Sequence, residues 1–221
     1  GKDNIALSDT LLGLVDERRI QSRLASIQRL AVDDYIEQTV LPAQHSKRPG
    51  AKQIIAGLNG NIITHSENGP FYTAEVDLVH PRGNRRIGFI CQERSSANGS
   101  WLPEHHELAR KTIRLYADHG QPIVYLIDTP GADAGEAANT HNQAHSISRL
   151  ITESTNVDVP TVGIVIGVGY SGGAIPLAAA NILLSVRDGI FNTIQPQGLQ
   201  SIARKFNLSW QECAKAVGVS P

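Results

Sequence analysis

Cysteine is scarce in this chain: Cys91 and Cys213 are the only two among 221 residues. Two are too few for a disulfide framework or a structural zinc site, and neither has a second Cys or a His beside it at ligand spacing. No metal site is expected, and a reducing, cytoplasmic setting is. No apolar run reaches the ~18 residues that suggest a membrane span. Charge of one sign is missing too: 20 basic and 21 acidic residues leave a net charge of -1, with the basic residues scattered. Neither nucleic acid nor an anionic membrane is expected as a partner. The N-terminus has no signal-like h-region, so the glycosylation matches at Asn98 and Asn207 read as chance. Internal repeats and low-complexity tracts are likewise absent.

What is present divides near residue 50. Between residues 7 and 40, Leu11, Leu12, Val15, Leu24, Ile27, Leu30 and Ile36 recur at helical spacing with charges between them, the mark of an amphipathic helical arm. Residues 42–50 ("PAQHSKRPG") read as a breaker-rich linker. Residues 1–50 are therefore expected as arm and linker, and 51–221 as the main domain. Strands are expected at 54–64, 71–79, 86–91, 122–127, 161–166 and 182–186. Helices are expected from Pro103, over 137–153, over 172–181 and from Leu199. Alternating strands and helices imply an α/β fold with a parallel sheet covered by helices.

In such folds chemistry gathers where strands end and helices begin. Two turns qualify: "IDTPGADAG" at 127–135 and "IGVGYSGGA" at 166–174. Glycine lets backbone N–H groups approach a ligand, and the first N–H groups of a helix have no internal acceptor. Side by side, two such turns would form an oxyanion hole without any side chain; the plainer role for these glycines is close packing of turn on helix.

Gly169-Tyr170-Ser171-Gly172-Gly173 also matches the G-x-S-x-G nucleophile elbow. All eight histidines precede Ser171, however, the reverse of the hydrolase order. An order Asp128, His141, Ser171 stays formally open, but the ordinary role for Ser171 is capping the helix. His141 and His145, four apart, lack a third metal ligand and read as a solvated helix face. His105 and His106 read as a polar helix start, and Asp128 as a turn-fixing residue.

Residues 103–221 resemble the carboxyltransferase alpha subunit of bacterial acetyl-CoA carboxylase, in the crotonase superfamily. The matching stretches are "PEHHELARKTIRLYADHGQPIVYLIDTPGA", residues 143–149, "VPTVGIVIGVGYSGGAIPLA" and "QPQG" at 195–198. Residues 54–100 fit loosely, and 1–50 are not matched. The resemblance implies a crotonase-like fold of repeated ββα units with helices packed on the sheet, preceded by the helical arm. It also implies transfer of a carboxyl group from carboxybiotin, borne on a biotin carboxyl carrier, to the alpha carbon of an acyl-CoA. Backbone N–H pairs stabilise the charge that develops on the ureido and thioester oxygens. Position by position, Gly172, Gly173 and the N–H of Ala174 would face the ureido oxygen. Gly131 and Ala132 would shape the adjoining wall, Gly169 and Tyr170 would lie at the substrate site, and Gly198 in the next loop. A beta-type subunit or domain would supply the second unit, within an oligomer.

Departures from the family pattern cluster around that pocket. Val168 stands where the family has glutamate, Tyr170 where it has glycine, and Asp133-Ala134 where it has Tyr-Pro. Asn139-Thr140-His141 replaces Glu-Glu-Arg, and Gln197 replaces the glutamate of Pro-Glu-Gly. Thinned charge fits a changed acyl substrate, or a crotonase-fold scaffold without turnover. A serine hydrolase using Ser171 is a further alternative. A hydratase ranks third, because Glu136 lacks a paired glutamate.

Overall fold

The structure is a computed structural model that describes residues 17–133, 135 and 142–221. Leu11, Leu12 and Val15 of the expected arm, Ala134, Glu136, and residues 139–141 lie outside the described residues.

The chain runs α1 (Glu17–Gln28), α2 (Val32–Gln44), α3 (Ala51–Ala56), β1 (Gly60–Asn68), β2 (Phe71–Leu78), β3 (Arg85–Gln92) and α4 (Pro103–Asp118). It continues with β4 (Ile123–Thr129), α5 (Gln143–Asn156), β5 (Thr161–Tyr170), α6 (Ser171–Ala178), β6 (Ile182–Ser185), β7 (Ile190–Asn192), α7 (Pro196–Ile202) and α8 (Trp210–Val217). The sheet order is β1-β2-β3-β4-β5-β6, with β7 paired to the far end of β5. The first three strands are antiparallel, and β3 to β6 are parallel. Helices α4, α5 and α6 cross over between the parallel strands, as parallel connections require.

Buried apolar runs place those helices. Ile123, Tyr125 and Ile127 of β4 and Val165 of β5 meet Ala109 and Ile113 of α4, Leu150 of α5 and Leu177 of α6 in the main core. The opposite face of the sheet is covered by α3, whose Ala51 and Ile55 pack on Tyr72, Ala74, Phe89 and Leu126. Helix α4 starts with Pro103 in its first turn, and His105 Nδ1 accepts the Leu102 N–H at 2.9 Å. His105 and His106 are therefore buried rather than a polar, solvated start.

Three expectations change. The strand expected at 54–64 begins only at Gly60, because 51–56 form a capped helix: Gln53 Oε1 accepts the Gly50 N–H at 3.0 Å, and Glu93 Oε2 accepts the Lys52 N–H at 3.0 Å. The presumed turn at 167–170 is instead strand, since β5 runs on to Tyr170 and pairs with the unexpected β7, Val168 opposite Ile190 and Tyr170 opposite Asn192. The expected linker is not a spacer. Helix α2 continues through Pro42 to Gln44, and its Tyr35, Ile36, Val40 and Ala43 share a core with Tyr170, Ile190, Ala214 and Val219. The Tyr35 hydroxyl donates to the Val219 carbonyl at 2.8 Å. The boundary expected near residue 50 thus crosses continuous packing.

Candidate active site

Strand β4 delivers Asp128 and Thr129 to the carboxyl edge of the sheet, where the chain turns through Pro130, Gly131 and Ala132. Thr129 Oγ1 donates to the Gly131 carbonyl at 2.9 Å and accepts the Gly131 N–H at 3.2 Å, which folds the turn on itself. Gly131 has φ 137°, a backbone that only glycine adopts without strain. Gln143, at the start of α5, donates to the Trp101 carbonyl at 2.8 Å and the Asp133 carbonyl at 3.2 Å. Further back, Ser146 Oγ donates to the Gln143 carbonyl at 2.8 Å and lies 2.8 Å from Nδ1 of the buried His106. Burial lowers the His106 pKa to about 4.

Strand β5 ends beside it and passes directly into α6. Gly173 lies on the first turn so closely that a Cβ there would stand 2.5 Å from the Ala132 nitrogen and 2.5 Å from the Gly131 carbonyl carbon. The two turns are therefore in backbone contact, which any side chain at 173 would prevent. Ser171 adopts φ 57°, in the left-handed region, and is the first residue of α6, with Tyr170 in the cap position. The expected capping role is therefore corrected: Tyr170, not Ser171, occupies the N-cap position. No base is bonded to that hydroxyl among the described residues, and His141 lies outside them.

Behind the turns sits a buried ion pair that sequence reading did not find. Arg48 Nη2 lies 3.0 Å from both Asp128 oxygens, while Nη1 donates to the Ile166 carbonyl at 2.5 Å and Nε to the Ala43 carbonyl at 2.8 Å. Gly167 leaves the room for it, since a Cβ there would stand 2.0 Å from Nη2. The Val168 N–H also donates to Asp128, at 3.2 Å. Burial pushes the Asp128 carboxyl up, opposed by Arg48 and by the Val168 N–H. The Asp128 carboxylate thus ties the end of β4 to Arg48 and to Val168 of β5 rather than bonding the backbone of its own turn, which Thr129 fixes. The only cue in the sequence was an arginine in a segment that resembled a spacer. Arg48, Arg94, Asn98, Asp128, Pro130, Val168, Tyr170 and Gln195 line a cavity of about 300 Å³ alongside the turns.

The structure brings together Gly131, Ala132, Gly172 and Gly173. Ala174 is fully buried in the main core, and as the fourth residue after the Tyr170 cap its N–H makes the first internal bond of α6, which leaves the N–H groups of Gly172 and Gly173 as the free donors. Gly169 is enclosed by Phe191, Ile127 and Ala174, with the nearest atom 3.1 Å from a would-be Cβ, and serves packing rather than ligand contact. The Tyr170 ring belongs to the core under α2, and burial pushes its phenol up to about 12, so the hydroxyl stays protonated. Gly198 lies in α7 with Ile194 and Gln195 of its own segment as nearest neighbours; Gln195, not Gly198, reaches the cavity.

A mixed sheet, not the wholly parallel one expected, whose parallel strands are crossed by helices and whose carboxyl edge brings two glycine turns together, has the fold of crotonase-like carboxyltransferases. Solved structures share it. Transcarboxylase 12S, described with hydrolysed methylmalonyl-coenzyme A bound, superimposes with a TM-score of 0.66 at 15% identity over 81% of this chain and 37% of its own. The beta subunit of geranyl-CoA carboxylase from P. aeruginosa gives 0.54 at 16% identity, over 68% of this chain and 30% of its own. Residues 86–221 match the acetyl co-enzyme A carboxylase carboxyltransferase-like family, and the chain belongs to it. Among its relatives, the acetyl-coenzyme A carboxylase carboxyl transferase subunit alpha of Pelagibacter ubique is 32% identical, covering 95% of this chain and 61% of the relative. That of Acidiphilium cryptum is 30% identical over 100% of this chain and 70% of the relative. The likeness therefore reaches into residues 1–50, which had matched nothing. The chain spans roughly two thirds of the length of such relatives.

Proposed function

We propose that this chain is the alpha-type half of a biotin-dependent acyl-CoA carboxyltransferase. The observation that carries this reading is the seating of Gly173 on the Gly131–Ala132 backbone, which joins two strand-end turns into one N–H-bearing surface. A biotin ureido oxygen that becomes anionic suits such a surface: the donors are backbone, and the nearby carboxylate, Asp128, is neutralised by Arg48. When bound, carboxybiotin supplies the carboxyl group. The chain's part is to orient it: the free N–H groups of Gly172 and Gly173 face the oxygen, and Gly131 and Ala132 form the wall. Preorganised donors in a site poor in water stabilise developing charge without having to reorient. The acyl-CoA is held mostly by a beta-type subunit or domain, and the carboxyl arrives on a biotin carboxyl carrier. One relative, from Salinispora arenicola, is named as carrying subunits beta/alpha in one chain, 30% identical over 75% of this one, which supports that pairing. We count the arm from residue 17 with the domain and place the protein in the cytoplasm, consistent with its two unpaired, buried cysteines.

The test is carboxyl transfer from carboxybiotin to a panel of acyl-CoAs, by this chain alone and with a beta-type partner. Transfer is expected only with the partner, because one unit supplies one set of oxyanion donors while the reaction has two oxyanions. A stable complex that transfers to no acyl-CoA would instead identify a scaffold.

A further inference from the structure

We propose that Gln92, the last residue of β3, is a positioning residue that sets the two glycine turns in register. The inference rests on the carboxyltransferase reading. The Gln92 side chain is fully buried, and both ends of its amide are used across the site. Nε2 donates to the Gly173 carbonyl at 2.7 Å, and Oε1 accepts the Asp128 N–H at 3.2 Å. One side chain thus spans from the start of α6 to the end of β4, where each turn begins.

The geometry of the peptide unit gives this bridge its consequence. A trans peptide is planar, so its carbonyl and its N–H point in opposite directions. Holding the Gly173 carbonyl toward β3 therefore fixes the orientation of the first turn of α6, whose free donors are the N–H groups of Gly172 and Gly173. At the other end, Oε1 holds the Asp128 backbone in place while Arg48 holds the Asp128 side chain. An oxyanion site tolerates displacements of only ~0.5 Å; Asp128 also takes the Val168 N–H of β5, but among the described residues no other side-chain hydrogen bond joins β4 to the start of α6. Packing of Gly173 on Ala132 sets their distance; Gln92 sets their orientation.

Two variants test this in the complex of the full chain with its beta-type partner, each checked for folding by circular dichroism. Gln92→Leu is expected to lower turnover by about tenfold to a hundredfold, with the KM for acyl-CoA within about threefold, because a misaimed donor acts on the transition state. Gln92→Glu keeps the shape. Its protonated carboxyl can donate to the Gly173 carbonyl while accepting the Asp128 N–H, and its ionised form cannot donate. Its activity relative to wild type should therefore rise as pH falls through the pKa of the new carboxyl. A merely space-filling residue would give no such profile. Folded Gln92→Leu with turnover within about threefold of wild type would overturn the proposal, as would a Gln92→Glu ratio that is flat with pH. If Gln92→Leu does not fold, the Gln92→Glu profile decides. A wild-type complex without transfer would overturn the underlying reading, and is distinguished by the wild type failing alongside its variants.

Discussion

The two turns at the carboxyl edge look alike in sequence and are held by opposite means. The turn after β4 is wired by its own and neighbouring side chains: Thr129 bonds Gly131 twice, Asp128 takes Arg48 and the Val168 N–H, and Gln143 fastens Asp133. The turn after β5 has no such wiring of its own. It is held by what glycine permits, Gly173 resting on Ala132, and by the bond it receives from Gln92. A glycine-rich stretch can therefore mark a ligand surface and a packing surface at once, and the neighbours decide which role each glycine has. Gly131 needs its left-handed backbone; Gly173 needs its missing side chain.

The wired turn should show the largest effects. Arg48→Leu leaves Asp128 buried without its partner and is expected to cost about 3–5 kcal/mol in urea unfolding. The double variant with Asp128→Asn should lose less than the sum of the two single changes. A single-variant loss under about 1 kcal/mol would mean that Arg48 does not anchor this turn.

Acid should weaken the same wiring from behind. Burial holds the His106 pKa at about 4, below the ordinary 6.5 of the unfolded chain, so the folded state favours the neutral ring. The resulting stability is present above about 6.5 and is lost as pH falls toward 4, by roughly 3 kcal/mol in all. Unfolding measured at several pH values should show that slope, and His106→Asn should flatten it.

At the packed turn, Gly173→Ala is expected to cost about 1–3 kcal/mol and to abolish most transfer, because both obstructing atoms are backbone. Gly172→Ala meets only the flexible end of Ile147, 3.2 Å from the added Cβ, and should be much milder. Equal effects at the two positions would remove the distinction between them.

The smallest effect is expected at Ser171. With φ 57°, Ser171→Gly should raise stability by about 1 kcal/mol. Ser171→Ala should keep transfer within about tenfold, and a fluorophosphonate should leave the wild type unlabelled, since no base among the described residues bonds the hydroxyl. Labelling at Ser171 would restore the hydrolase reading.

Local pattern made much of this architecture legible. The run "PIVYLIDT" had to be a buried strand, Pro103 had to open a helix, and the two glycine turns had to fall at strand ends, because apolar spacing and proline and glycine geometry act over a few residues. The site was half legible for the same reason. Gly131, Ala132, Gly172 and Gly173 stood out by type, whereas Gln92 and Arg48 are an ordinary glutamine and an ordinary arginine until their partners are known. The strand end at 167–170 was missed because its strand character depends on β7.

By itself, then, the sequence determined the order of most strands and helices, short of α3 and β7, and the positions of the two glycine turns. Tertiary structure alone decided that α2 and the segment after it belong to the core and that Arg48 neutralises Asp128. It also decided that Gly173 touches Ala132 and that Gln92 bridges the turns. These are contacts between residues 36 to 184 positions apart. No local preference encodes such a contact, because its energy exists only once the sheet has brought the strand ends together.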